Sequence, residues 1–116
     1  MMLADIARRA GHPGEAMPIY AQVVTRSPTD VRAPVAAFSR GRLQLAGAPA
    51  DAAESFAFVR GHPAAAALFE EATALEAGAR SRAGQGTRAR AIAAEYLARF
   101  PQGRHSESML RLTEVR

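Results

Sequence analysis

Three histidines, two adjacent glutamates and one glycine-rich turn are the residues of this chain whose types could carry chemistry. His12 and His62 each stand in Gly-His-Pro, and His105 stands apart from both. A metal ion needs ligands that converge, and histidines in separate turns of a chain without cysteine do not supply them. They are expected to be turn and capping residues, with no metal and no cofactor. Glu70 and Glu71 suggest an acid–base pair, but adjacent residues point to different sides of a helix. One is expected in solvent and the other on a groove. Gly84-Gln85-Gly86-Thr87 before a helix has the outline of a phosphate loop. It lacks the preceding strand and the lysine such loops use, and the chain contains no lysine at all. No Ser, His and Asp fall at a spacing that suggests nucleophilic catalysis. The expectation is that the protein is not an enzyme.

The other chemical pattern is cationic. All fifteen basic side chains are Arg, and the net charge is +4. Arg8/Arg9, Arg40/Arg42 and Arg80/Arg82 place a pair near the end of each of three expected helices. Cations there are favoured by the helix macrodipole by about 0.3–1 kcal/mol each. The functional alternative is a basic stripe that grips an acidic peptide or a terminal carboxylate. Nucleic acid is not the expected partner: aromatic residues are few, and no basic block is longer than two residues.

The elements that must position these residues follow from composition and spacing. The 116 residues fit one domain. Leu, Ile, Val and Phe together number 22, whereas Ala alone numbers 28, so the core must be thin and made largely of methyl groups. Such a chain suits closely packed helices and argues against a β-sandwich. The longest strongly apolar stretch, Ala64 to Phe69, is too short to cross a bilayer. The opening MMLADIARRA has an acid and two Arg where a secretory signal needs an apolar run. No membrane insertion by this segment is expected.

Three segments align: GHPGEAMPIYAQVVTRSP from Gly11, GAPADAAESFAFVRGHP from Gly47 and GQGTRARAIAAEYLARFP from Gly84. Their Gly residues lie 36 and 37 apart, and their closing Pro residues lie 35 and 38 apart. Ala16, Ala52 and Ala89 fall five residues after the Gly, and Tyr20, Phe56 and Ala93 nine after it. Each segment reads as the second helix of a hairpin. In the third, Ala89, Ile92, Ala93, Tyr96, Leu97 and Phe100 form an amphipathic stripe, with Thr87 as the expected N-cap and Pro101 as the stop. Pro18 should kink the first of these helices or delay its start. The partner helices precede each Gly: residues 2–10, about 31–46 with Asp30 as cap, and 64–83. A last helix, about 104–115, offers Met109, Leu110 and Leu112 to cover the exposed end. The expected repeats are about 1–30, 31–63 and 64–103, within a single domain of residues 1–116. Tyr20, Phe38, Phe56, Leu68, Leu75, Ile92, Tyr96 and Leu97 are the expected core.

This pattern of Gly, Ala, aromatic or Ala, and Pro positions resembles the tetratricopeptide-repeat (TPR) family. EYLARFPQGRHSE is similar to the ending of repeats in bacterial envelope TPR proteins, among them BamD-like lipoproteins and the TPR tails of FecR-like anti-sigma regulators. The family's first-helix Trp and Tyr positions are not filled here. The resemblance implies an all-α, right-handed stack of about three helix-turn-helix hairpins plus a C-terminal capping helix. It also implies a bacterial setting, with the envelope favoured over the cytoplasm.

A stack of this kind presents a concave surface lined by the first helix of each pair. The expected function is a protein–protein interaction scaffold that binds a peptide or helix of an acidic partner in an Arg-lined groove. Arg8, Arg9, Val35, Ser39, Arg42, Leu43 and Arg82 are the expected partner-binding residues. The alternative is a structural or oligomerisation segment of a longer repeat protein, without such a groove. Three repeats are about the minimum for a stable solenoid, so a homo-oligomer is also expected.

Overall fold

A computed structural model describes residues 30–114 of the chain. Arg8, Arg9, His12, Pro18, Tyr20 and the rest of the first expected repeat up to residue 29 lie outside the described residues. The described residues are all-helical: α1 (Ala33–Gln44), α2 (Pro49–Gly61), α3 (Phe69–Arg82), α4 (Gly86–Arg99) and α5 (Ser106–Glu114). One 3-10 turn, Ala66–Leu68, leads into α3. No strand occurs among the described residues.

The helix starts show which local signals decided. Asp30 is not the cap of α1: Arg32 holds the N-cap position without a side-chain cap bond. Asp30 instead closes the turn before it, its Oδ1 accepting the Arg32 N–H at 2.8 Å and its carbonyl the Ala33 N–H at 2.9 Å. Pro34 sits where its missing N–H leaves no intrahelical bond unmade. Pro49 opens α2 in the same way. The expected helix over 64–83 instead begins at Phe69. The residues before it are spent on turning the chain, with the Ala65 N–H bonded to the His62 carbonyl and the Leu68 N–H to that of Ala65. His62 is a turn residue here, its Nδ1 accepting the Ala64 N–H at 3.1 Å.

Thr87 is not the N-cap of α4. The helix starts one residue earlier at Gly86, with Gln85 in the cap position. The cause is the end of α3. Gly84, at φ +80°, takes the left-handed conformation that suits glycine. This sends the Gln85 N–H back to the Arg80 carbonyl at 2.8 Å and the Gly84 N–H to that of Ser81 at 3.1 Å. That double closure is a Schellman ending. It consumes the N–H groups of Gly84 and Gln85, two of those a phosphate loop would offer.

Each helix packs on its neighbours in sequence, and α5 also touches α3. Methyl groups make most of the interfaces: Ala36, Ala52, Ala53, Ala72, Ala77 and Ala93 are all fully buried. Phe56, Val59, Ile92, Tyr96 and Met109 supply the bulk between them. Of the expected core, Phe56, Ile92 and Tyr96 are buried, while Phe38, Leu68, Leu75 and Leu97 are half-buried at its edges. Met109 seals the C-terminal end as expected, but Leu110 is 51% exposed.

The close approach of α1 to α2 depends on Gly41. A Cβ there would meet the Phe56 ring at 2.8 Å, and that ring is fully buried and edge-on to Phe38 at 5.8 Å. Gly78, in α3, has nothing within 4 Å of the same position. Two glycine-to-alanine changes should therefore have opposite signs. Gly78→Ala is expected to stabilise by about 0.5–1 kcal/mol through helix propensity. Gly41→Ala is expected to destabilise by about 1–3 kcal/mol through overpacking, despite the same propensity gain. Urea unfolding of both variants beside the parent chain measures this directly.

Candidate functional site

Two polar assemblies cross the methyl core, and they set the shape of the surface between them. The first centres on Glu76, whose side chain is 3% exposed. Its Oε2 accepts Arg80 Nε at 2.7 Å one turn on in α3, and its Oε1 accepts Arg60 Nη1 from α2 at 2.7 Å. Arg60 also reaches Glu95 of α4 at 2.6 Å. Arg80, 1% exposed, donates to Gln85 Oε1 at 2.8 Å and lies 3.5 Å from Glu54. The carbonyl and side chain of Arg80 thus bind the backbone and side chain of Gln85, reinforcing the Schellman ending.

The second assembly explains the segment from Tyr96 to His105. Tyr96 is fully buried, and its hydroxyl donates to Glu70 Oε2 at 2.7 Å while accepting the His105 N–H at 2.9 Å. His105 Nε2 meets Glu71 Oε1 at 2.8 Å. Gly103 lies over this junction, where a Cβ would collide with the Tyr96 hydroxyl and Glu70 Oε2. Phe100 stacks obliquely on Tyr96 at 5.2 Å, and Arg99 lies over Phe69 at 4.3 Å from the ring centre. The aromatic, glycine and histidine of EYLARFPQGRHSE are therefore parts of one clasp between α4, the turn before α5 and the first turn of α3.

Beside the clasp lies a groove of about 400 Å³, lined by Phe38 and Arg42 of α1, Ala67 and Leu68, Glu70 and Glu71 of α3, and Arg104. Phe38, Ala67 and Leu68 make an apolar floor. Arg42 stands at the α1 wall, its guanidinium 5.9 Å from the Phe38 ring centre. Glu70 and Glu71 form the opposite wall, joined by the exposed Arg104 at 3.7 Å from Glu71. The expectation that these two glutamates diverge, one into solvent, is corrected: both line the groove, and each is held by the clasp.

The Arg pairs are also split. Residues two apart face nearly opposite sides of a helix. Arg42 lines the groove, while Arg40 lines a smaller pocket of about 160 Å³ with Ala37, Asp51, Glu54, Ser55 and Phe58. There its Nε is buried with no hydrogen-bond acceptor. Arg80 is a core residue, and only Arg82 of that pair is exposed. Of the expected partner-binding residues, Arg8 and Arg9 lie outside the described residues. Arg42 is in the groove, and Val35, Ser39 and Leu43 occupy α1 with Val35 45% exposed. Arg82 sits at the far end of α3, away from the groove lining. Sequence reasoning assigned Phe38 and Leu68 to the core and did not single out Arg104. The signal for Arg104 was its place between Gly103 and His105.

Among the described residues, no three His, Cys, Asp or Glu side chains gather in a way that could hold a metal ion. No helix among them is long and apolar enough to cross a membrane. No family model matches the chain, and no curated protein or solved structure matches it.

Both assemblies make measurable claims. Removing one member of a buried pair strands the other charge, so Glu76→Ala should cost about 3–5 kcal/mol in urea unfolding. The double change Glu76→Met with Arg80→Met should cost less than the sum of the single ones. Tyr96 makes a pH prediction. Burial, and then the Glu70 carboxylate it donates to, raises its hydroxyl above the ordinary 10.0. The folded chain therefore keeps a proton that the unfolded chain releases, and stability should fall as pH climbs through and beyond about 10. Tyr96→Phe should flatten that fall in unfolding midpoints measured between about pH 9 and 11.

Proposed function

We propose that this chain is a protein–protein interaction module, with its helices in a TPR-like right-handed stack and a peptide or helix of a partner seated in the groove between α1 and α3. The observation that carries the reading is the groove itself, with its apolar floor and charged walls. Binding sites commonly pair an apolar surface with a few placed polar groups. Helices that pack on their sequence neighbours, joined by short turns, suit a stack of hairpins. On this reading the protein is not an enzyme. In the groove Arg42 draws acidic residues of the partner, and Phe38 and Leu68 offer apolar contact. Arg82, at the far end of α3, attracts the partner beyond the groove lining, and Arg8, Arg9, Val35 and Leu43 are further proposed contacts.

A second reading has its own observation. Val31 is 70% exposed at the entry to α1, and Leu110 is 51% exposed on α5. Uncovered apolar residues at both ends of the described residues suit a segment that stacks on further repeats or on another copy of itself.

The two readings separate on charge. Affinity capture of partners by the full chain is compared with capture by the triple variant Arg8→Ala, Arg42→Ala, Arg82→Ala. The groove reading expects partners to be lost by the variant with its helicity intact, and to be released from the parent chain as salt passes about 0.15 M, where screening sets in over about 8 Å. Retention of the same partners by the triple variant rejects the Arg-lined groove and favours the stacking segment.

A further inference from the structure

We infer that the partner segment brings an arginine to Glu70 and Glu71, next to an apolar side chain that lies over Phe38 and Leu68. This rests on the groove reading and adds the chemistry of its occupant.

The clasp holds both carboxylates. Glu70 gives one oxygen, Oε2, to the Tyr96 hydroxyl, and Glu71 gives one oxygen, Oε1, to His105 Nε2. Tyr96 is fully buried and cannot swing away, and His105 is fixed at its own N–H by the same hydroxyl. Each glutamate thus has one oxygen anchored. The second oxygen of each, Oε1 of Glu70 and Oε2 of Glu71, has no hydrogen-bond partner among the described residues. Acceptors fixed before binding cost a ligand little ordering entropy.

The local charge then selects the ligand. The wall carries two carboxylates, and the cation nearest to it, Arg104, reaches only Glu71, at 3.7 Å, from a side chain that is 76% exposed. An exposed pair at that distance is weak and easily displaced. Arg42 is on the opposite wall over Phe38 and is not paired with either glutamate. An acidic segment can therefore be met at Arg42, but at Glu70 and Glu71 it would face like charge. A planar guanidinium offers several N–H donors in a fixed fork, whereas an ammonium is a more strongly hydrated point charge, so arginine fits better than lysine. Its aliphatic stem can lie on the apolar floor while the head reaches the wall.

The test uses the full chain and a set of labelled twelve-residue peptides in an Ala/Ser background. Each carries one Leu and, one to four residues away, an Arg, Lys, Gln or Glu. Fluorescence anisotropy is read for the parent chain and for Glu70→Gln and Glu71→Gln, which keep side-chain shape and an acceptor oxygen for the clasp. The expected result is an Arg peptide that binds about tenfold tighter than its Gln counterpart, the scale of a charge-assisted hydrogen bond. Lys should fall between them and Glu should bind weakest. Either Gln variant should reduce the ratio of Arg-peptide to Gln-peptide affinity. If a variant loses helicity by circular dichroism, the ranking on the parent chain decides alone. Gln or Glu peptides that bind as well as Arg peptides overturn this assignment and leave the groove reading standing. No binding by any peptide at millimolar concentration overturns both.

Discussion

Glu76 is the carboxylate on which the arrangement of three helices depends. One oxygen holds Arg80 within α3, and the other holds Arg60 of α2, which in turn reaches Glu95 of α4. A core of methyl groups gives little reason to prefer one register over another, because alanine faces slide past one another with small changes in contact. Directional bonds between fixed donors and acceptors do discriminate. The desolvation of both charges is costly. In this core it is offset by the bonds that Glu76 accepts from Arg60 and Arg80, with Arg60 Nε alone in the network buried without an acceptor. The ion network therefore sets which alanines meet, rather than adding to a core that is already unique.

The clasp at Tyr96 does the same for the surface. It ties the start of α3 to the turn after α4, and so fixes where Glu70 and Glu71 stand relative to Phe38 and Arg42. Without it, the first turn of α3 would keep the burial of Ala72 and the packing of Phe69 against Phe100 and Arg99, but no directional bond from Glu70 or Glu71 to the turn after α4. The clasp thus builds one wall of the groove, Glu70 and Glu71 being both its members and groove-lining residues. The groove's apolar floor includes Phe38 and Leu68, which pack half-buried against the edge of the core formed by Ala37, Val59, Ala65 and Ala72.

Most of the helices were legible in the sequence, because proline, glycine and the stripe in α4 mark their ends. The failures have physical causes. Thr87 had the chemistry of a cap, but Gly84 set the cap two residues earlier, at Gln85, by closing α3 on Arg80 and Ser81. The four alanines at 64–67 look helical by propensity, yet the chain needs those residues to reverse direction. Arg80 and Arg82 looked alike as charges, although a spacing of two already places them on different sides of a helix, and one side was the core. The segment EYLARFPQGRHSE was visible as a pattern, but its meaning was not: nothing in its spacing says that Tyr96 and His105 receive partners 26 and 34 residues earlier. Alanine hides the buried face as well, since a helix with methyl groups on several sides has no single stripe to read.

The pairing of each helix with its sequence neighbours, described above for the fold, has a kinetic meaning. Contacts between adjacent hairpin partners close short loops, and short loops are cheap to close in entropy. Folding on such a map is a zipper: a helix pair that forms anywhere becomes the template for the next, and the search for distant partners that slows sheet proteins is avoided. The polar clasp and the Glu76 network act late in that sequence, because they need three elements in place at once.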